Sequence, residues 1–216
     1  SASPQATQPT ATPAPQPTEP PAEPSALPST GGASDDGQEY TDLSFLSQEQ
    51  QNIYQKALDA SMFLFDVPTN LDKSIFHEQV ANVELDGQMY DLFENSYSEF
   101  QDYVYTIFTP RYIESLGTFY TDKFINYDGY LATCVNGDLI RDYVDGITRE
   151  AQENYPDTYR LDFQDDKTVR FTLISHYDSN WNIKDEMNIF TIEYPICLVN
   201  TESGWRVDEF HTTLHG

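Results

Sequence analysis

The sequence predicts an α+β domain preceded by a disordered, proline-rich tail. Residues 1–38 contain nine of the chain's 13 prolines and none of its 30 Phe, Tyr and Trp residues. Beyond Tyr40, apolar residues recur first at the spacing of helices and later in the strict alternation of strands. This order is typical of an α+β arrangement, with N-terminal helices packed on a curved C-terminal antiparallel sheet. We therefore assign residues 1–39 to a stalk and residues 40–216 to a single domain.

The tail has too few apolar side chains to fold. Leu27 is its one large apolar residue, so burial cannot offset a backbone entropy cost of roughly 1–2 kcal/mol per residue. Its Pro, Thr, Ser and Ala composition resembles the spacer that follows the lipidated cysteine of Gram-positive surface lipoproteins. The resemblance implies an extracellular domain at the surface of a Gram-positive bacterium, held to the membrane only through a lipid anchor outside this sequence. An interdomain linker and a cytosolic disordered tail are the alternatives.

Capping patterns predict the first two helices. Ser47-Gln48-Glu49-Gln50 is a capping box before an apolar helical stripe, and it predicts a helix from Ser47 to Asp66. Residues 69–95 have no clear period, and Asp86-Gly87 indicates an irregular or hairpin-like connection there. A second capping box, Ser98-Glu99-Phe100-Gln101, predicts a helix over residues 98–108.

A third helix is expected directly after the second. Thr109 is a favourable N-cap, and Pro110 is favoured at the first helical position. Gly117 fits the left-handed conformation that ends many helices. Residues 123–135 then predict a pair of strands around Asp128-Gly129.

The C-terminal part of the chain predicts an antiparallel meander. A short helix is expected within residues 137–154, although Gly146 weakens it. Pro195 implies an edge position or a bulge in its strand, because proline has no N–H to donate. Alternating side chains predict four strands joined by short turns: Tyr159–Phe163, Val169–Tyr177, Glu186–Asn200 and Trp205–Thr213.

Charge and cysteine content exclude several classes of function. The net charge is −25, of which residues 1–38 supply −4 and residues 39–216 supply −21. No nucleic acid partner is expected, and direct binding to an anionic membrane is disfavoured, because both depend on Lys and Arg. We expect Cys134 and Cys197 to be free thiols, although two cysteines are enough to form one disulfide. The sequence has no CxxC pair, no Cys/His cluster with zinc spacing, no P-loop and no dinucleotide fingerprint. His211 and His215 are four residues apart, which is only a weak metal signal, so neither a metal nor a cofactor is expected.

The order of the elements resembles the NTF2-like (cystatin-like) α+β cone. Gly204-Trp205-Arg206-Val207 matches the hairpin that opens the last strand of many such domains. Phe108-Thr109-Pro110-Arg111-Tyr112 and Asp128-Gly129-Tyr130-Leu131 are similar to motifs of the bacterial DL-endopeptidase inhibitors, which restrain cell-wall peptidases. Ala132 stands where that family has Tyr, and Asn136-Gly137-Asp138 follows its Gly-rich loop only loosely. The resemblance extends over residues 100–213.

The resemblance implies a non-catalytic binding module, with an envelope protein such as a cell-wall peptidase as its partner. No catalytic motif occurs, so we do not expect an enzyme. Tyr105 and Tyr130 are the candidate residues for providing contact area to the partner. The alternative is an NTF2-like pocket protein that binds or converts a small molecule. His176, Asp208 and His211 are the candidate polar groups of such a pocket. A surface histidine and a tyrosine-rich rim of the core are the simpler interpretations of the same residues.

Overall fold

The structure is a computed structural model. The part of the chain that it describes forms two antiparallel sheets and five helices. The described residues are 38–65, 75–134, 149–183 and 186–211. The helices are α1 (Gln48–Leu64), α2 (Tyr97–Tyr105), α3 (Pro110–Ser115), α4 (Thr118–Lys123) and α5 (Arg149–Asn154). The strands are β1 (Glu39–Tyr40), β2 (Gln79–Leu85), β3 (Gln88–Ser96), β4 (Phe124–Tyr127), β5 (Tyr130–Cys134), β6 (Thr158–Gln164), β7 (Thr168–Asp178), β8 (Ile189–Thr201) and β9 (Gly204–Glu209). The predicted α+β class is confirmed.

Two predictions fall wholly or partly outside the described residues. The predicted stalk lies outside them up to residue 37, and residues 135–148 include most of the predicted short helix. Within the described remainder of that range, the chain forms helix α5. None of the helices that the structure describes is long and apolar enough to cross a membrane.

The sequence locates the starts of α1 and α3 correctly. Ser47 Oγ accepts from the Gln50 N–H at 3.3 Å, while Gln50 Oε1 accepts from the Ser47 N–H at 2.8 Å. These two bonds form the predicted capping box and satisfy two of the donors that a helix start leaves free. At α3, Thr109 Oγ1 accepts from the Tyr112 N–H at 3.2 Å, and Pro110 occupies the first helical turn.

The start of α2 corrects the sequence prediction. The N-cap is Ser96 rather than Ser98, since Ser96 Oγ accepts from the Glu99 N–H at 3.1 Å. Glu99 Oε2 in turn accepts from the Ser96 N–H at 3.1 Å. Ser96 and Ser98 are both possible N-caps in the sequence. In the structure, Ser96 forms the capping box, with Glu99 at the third helical position.

The strands form two sheets rather than one C-terminal sheet. One sheet has the order β1-β6-β7-β8-β9 and contains the predicted meander. The other has the order β2-β3-β5-β4, in which the predicted strand pair β4–β5 joins the hairpin β2–β3. Tyr90 faces Cys134 and Leu92 faces Ala132 across the β3–β5 ladder.

Two glycine-containing turns build the four-stranded sheet. Asp86 and Gly87 have φ values of 50° and 82°, and Asp128 and Gly129 have φ values of 51° and 92°. Positive φ at both central residues is the signature of a type I′ turn, whose twist matches the twist of the paired strands. The Asp128-Gly129 turn confirms the predicted strand pair, and the Asp86-Gly87 turn shows that the connection around it is a hairpin.

Pro195 lies in β8, which has β7 and β9 as neighbours. Pairing of β8 with β9 begins only at Cys197, where the register also shifts. Pro195 therefore lies on a part of β8 that has only β7 as a described partner, which is consistent with its missing donor.

Aromatic side chains connect helix α1 to both sheets. Phe63 of α1 packs edge-on against Phe76 at 5.3 Å between ring centroids, and Phe76 packs against Phe93 of β3 at 5.4 Å. Tyr54, nearer the start of α1, packs edge-on against Phe171 of β7 at 5.3 Å. These rings are buried, and each large buried side chain contributes roughly 1.5–3 kcal/mol of hydrophobic stabilisation.

Candidate functional site: an acidic groove on the four-stranded sheet

The four-stranded sheet has apolar residues on both of its faces. On the inner face, Phe93, Phe124 and Leu131 join the main core. On the outer face, a small second cluster has Tyr90 and Ala132 among its buried members. Leu92, Val83, Ile125 and Tyr127 pack around this cluster while remaining partly accessible. An apolar outer face of this kind can bind a partner or a ligand.

An open groove of about 580 Å³ lies at one end of this outer face. Its walls combine apolar, aromatic and carboxylate side chains. The lining residues are His77, Val80, Leu92, Glu94, Glu99 and Tyr130.

Tyr130 is positioned by the β4–β5 turn. The Gly129 N–H donates to Asn126 Oδ1 at 2.7 Å, and the Gly129 carbonyl accepts from the Tyr97 N–H at 2.9 Å. The turn is therefore fixed to the start of α2. Tyr130 follows immediately, and its side chain remains 50% exposed. A rigid aromatic side chain that stays this accessible provides contact area at low entropic cost.

Glu99 enters the groove from the first turn of α2. The hydrogen bonds it accepts from Ser96 lower the pKa of its carboxyl below the usual range. The carboxylate is therefore ionised at neutral pH, and its location in the first helical turn is favourable for a negative charge.

A buried amide fixes the approach to β2. Asn95 is 5% exposed, and its Oδ1 accepts from the His77 N–H at 2.7 Å. The Asn95 Nδ2 donates to the Ile75 carbonyl at 2.8 Å. These bonds hold the segment before β2 against β3, which places His77 at the edge of the groove.

The surroundings of the groove are strongly negative. Residues 75–109 contain seven Asp and Glu residues and no Lys or Arg. Neither Glu94 nor Glu99 takes part in an ion pair within the described ranges. Two unpaired carboxylates beside Tyr130 can bind an ammonium or guanidinium group, with the ring adding a cation–π contribution.

Of the residues singled out from the sequence, Tyr130 lies in this groove, whereas Tyr105 does not. Tyr105 is partly buried against the main core, and its carbonyl accepts from Arg206 Nε at 2.9 Å. Tyr105, a candidate for contact area from the sequence, is therefore half-buried. The groove and Tyr105 therefore belong to different parts of the surface.

Asp208 forms a link between β9 and α3. Its Oδ1 accepts from Thr109 Oγ1 at 2.6 Å and from Arg111 Nε at 3.0 Å. Burial alone would raise the pKa of Asp208, but the hydrogen bonds from Arg111 and Thr109 outweigh it and lower the pKa. These hydrogen bonds connect the last strand to the start of α3.

The two candidate histidines lie on the five-stranded sheet and at its end. His176 is half-buried, with its ring centroid 5.9 Å from that of Tyr155. Its Nδ1 is buried and has no hydrogen-bond partner among the described residues. His211 Nε2 lies 3.9 Å from Glu209 Oε1. No group of three His, Cys, Asp or Glu residues arranged for a metal ion occurs in the described part of the chain.

Sequence reasoning missed five of the six groove residues. His77, Val80 and Glu94 belong to a region without a clear period, and the groove exists only because β3 pairs with β5. One signal was present in the sequence, namely the absence of Lys and Arg over residues 75–109.

The two cysteines are free, as expected, and both are buried.

Comparison of the chain with protein-family models and with curated proteins gives no match. The class of this protein is therefore defined by its own fold and surface. It is an α+β protein with two antiparallel sheets, and its four-stranded sheet carries an open acidic and aromatic groove.

Proposed function

We propose that this protein is a non-catalytic binding module of the bacterial cell surface that inhibits or regulates a cell-wall hydrolase. The groove lined by Glu94, Glu99 and Tyr130 is the observation that carries the proposal. Its chemistry suits a partner with a cationic and partly apolar surface, because opposite charges speed encounter and exposed aromatic residues supply binding energy.

The proposed fold of the domain is an NTF2-like cone, with its helices against the concave side of a curved sheet. The motif residues support a link between the family resemblance and the groove. Asp128-Gly129 forms the turn that orients Tyr130, and Thr109-Pro110 begins α3. On this proposal the stalk holds the domain at the extracellular surface, where a cell-wall peptidase acts.

Titration of the full chain with a purified cell-wall DL-endopeptidase tests the function. Calorimetry should show binding at micromolar concentration or tighter, and hydrolysis of peptidoglycan should slow in parallel. The Tyr130→Ala variant should bind at least about tenfold more weakly, because exposed interface tyrosines commonly contribute 1–2 kcal/mol or more. Tyr155→Ala is the matched control, since Tyr155 is similarly exposed at 46% but lies outside the groove. Absence of both binding and inhibition would reject the proposed partner class.

One observation favours a second candidate function, a small-molecule pocket. Thr133 Oγ1 and Ser175 Oγ are buried and have no hydrogen-bond partner within the described residues. Buried polar groups usually find a partner, so a bound polar molecule could supply one. Native mass spectrometry of the protein purified from its source would test this, and a spectrum of the bare chain alone would count against it.

A further inference from the structure

The edge strand β2 provides an open row of backbone hydrogen-bonding groups. β2 runs over seven residues, and within the described chain only β3 pairs with it. The other sheet edges are shorter or already engaged. β1 has two residues and β4 has four, while β9 exchanges bonds with the segment before α3. Those bonds run from the Thr109 N–H to the Val207 carbonyl at 2.9 Å and from the Val207 N–H to the Ile107 carbonyl at 2.8 Å.

Apart from a register shift between Gln79 and Ala81, β2 lacks the features that commonly protect an exposed edge. Its sequence, QVANVEL, contains no proline and no lysine, and Glu84 is its only charged residue. Every residue of β2 except the half-buried Val83 is exposed. Strand edges of this length invite pairing with another extended chain.

The register shows which backbone groups of β2 point outward. The two-residue turn Asp86-Gly87 pairs Leu85 with Gln88 as the first hydrogen-bonded pair of the hairpin. Hydrogen-bonded and non-hydrogen-bonded pairs alternate along an antiparallel ladder. The N–H and C=O groups of Glu84 and Asn82 therefore point away from β3.

The β2 edge is continuous with the acidic groove. Val80 belongs to β2 and lines the groove, and Leu92 and Glu94 of the neighbouring strand β3 extend the lining. A strand added beside β2 would direct every second side chain to the outer face of the sheet, next to Val80. The groove would then lie within reach of long side chains from that strand.

We propose that β2 binds an extended, cationic segment of a partner protein as a fifth strand of this sheet. The inference rests on the proposed binding function and specifies its mode. Main-chain hydrogen bonds from Asn82 and Glu84 provide the pairing, and alternate Lys or Arg side chains of the segment lie toward Glu94 and Glu99. The seven acidic residues between positions 75 and 109, without a balancing Lys or Arg, select against a second copy of this chain at the same edge.

A labelled peptide of about eight residues with alternating Val and Lys is the probe, and a peptide with Glu in place of each Lys is its control. Fluorescence anisotropy should show binding of the Lys peptide only. Glu84→Pro removes one outward N–H without removing a β2–β3 bond, so it should weaken binding about tenfold or more. Glu84→Gln removes the same charge and keeps the N–H, so it should weaken binding by less than about threefold. Equal affinity of Glu84→Pro and Glu84→Gln would overturn strand addition.

Amide hydrogen exchange provides a readout that needs no substitution. The outward amides of Asn82 and Glu84 should gain protection when the Lys peptide binds, while the amide of Val83, already bonded to β3, should change little. Binding of the peptide without new protection at Asn82 and Glu84 would also overturn the proposal. A dimer of the free protein that Glu84→Pro abolishes would assign the edge to a second copy instead.

The failure of this inference and the failure of the proposed function are distinguishable. If the peptidase binds wild type and Glu84→Pro equally but loses affinity for Tyr130→Ala, groove recognition stands and strand addition is wrong. If the peptidase does not bind at all while the Lys peptide protects Asn82 and Glu84, the proposed partner is wrong and strand addition stands.

Discussion

Single side chains fix the junctions between elements, and Asp208 is the clearest case. Arg111 and Thr109 both donate to its carboxylate, which is 16% exposed. The resemblance to pocket proteins suggested Asp208 as a polar group of a binding site. In the structure its hydrogen bonds tie the last strand to the start of α3.

Replacement of Asp208 should reduce stability in a pH-dependent manner. Since the folded-state pKa of Asp208 is lowered, its contribution is present above the unfolded pKa, near about 4, and disappears as pH falls through the folded pKa. Asp208→Asn should cost about 1 kcal/mol in urea unfolding at neutral pH, because Arg111 is largely exposed and screened by water. The difference from wild type should shrink below about pH 4. Asp166→Asn, on an exposed turn, is the control, and an equal loss there would contradict the assignment.

The helix cap at Ser96 gives a second test at the residue scale. Ser96→Ala removes the acceptor for the Glu99 N–H and should lower the free energy of unfolding by about 1 kcal/mol. Ser98→Ala is a matched control two residues away and should cost less than about 0.5 kcal/mol. Chemical denaturation of both variants measures the difference. A larger loss of stability in Ser98→Ala than in Ser96→Ala would indicate that Ser98 is the N-cap, as the sequence alone suggested.

At the scale of elements, the two Asp-Gly hairpins determine the four-stranded sheet. The β4–β5 turn also positions Tyr130, so its geometry links folding to the candidate site. Among the described residues, no heavy atom beyond its chain neighbours lies within 4 Å of a Cβ built on Gly129, so a substitution there meets backbone strain rather than a steric clash.

Gly129→Ala should destabilise the protein by about 1–2 kcal/mol, because its φ of 92° disfavours a side chain. Gly129→Asn should cost less, since asparagine tolerates positive φ better. Thermal unfolding of the two variants checks the order. Equal stability of Gly129→Ala and wild type would show that the turn does not hold the conformation described.

Element by element, local patterns predicted most of the fold. The capping box at Ser47, the Thr109-Pro110 start and both Asp-Gly turns depend on residues close in sequence, and the structure confirms them. The helix α4 was missed, because its six residues are too few to display a period. The position of Ser96 was also missed, because two serines compete within three residues.

At the scale of the whole molecule, pairing between distant strands could not be predicted. The ladder between β3 and β5 joins residues about 40 positions apart, such as Tyr90 and Cys134, and no local pattern encodes it. The second sheet and the groove both depend on this ladder. The sequence therefore predicted Tyr130 as a candidate but not the side chains that surround it.

The charge of the whole molecule leads to a prediction about salt. With a net charge of −25, binding of a cationic partner should be accelerated by long-range attraction. Raising the salt concentration from about 50 mM to about 500 mM should lower the association rate severalfold and leave the dissociation rate nearly constant. Surface plasmon resonance measures both rates, and a salt-independent association rate would exclude electrostatic recognition.

We propose that the acidic groove of the four-stranded sheet is where the partner binds. Hydrogen–deuterium exchange of the full chain, alone and with a cell-wall DL-endopeptidase, tests it most directly. New protection is expected at residues 77–84, 92–99 and 129–131, with little change around His176 and His211. Protection confined to the five-stranded sheet near His176, with none at the groove, would contradict it.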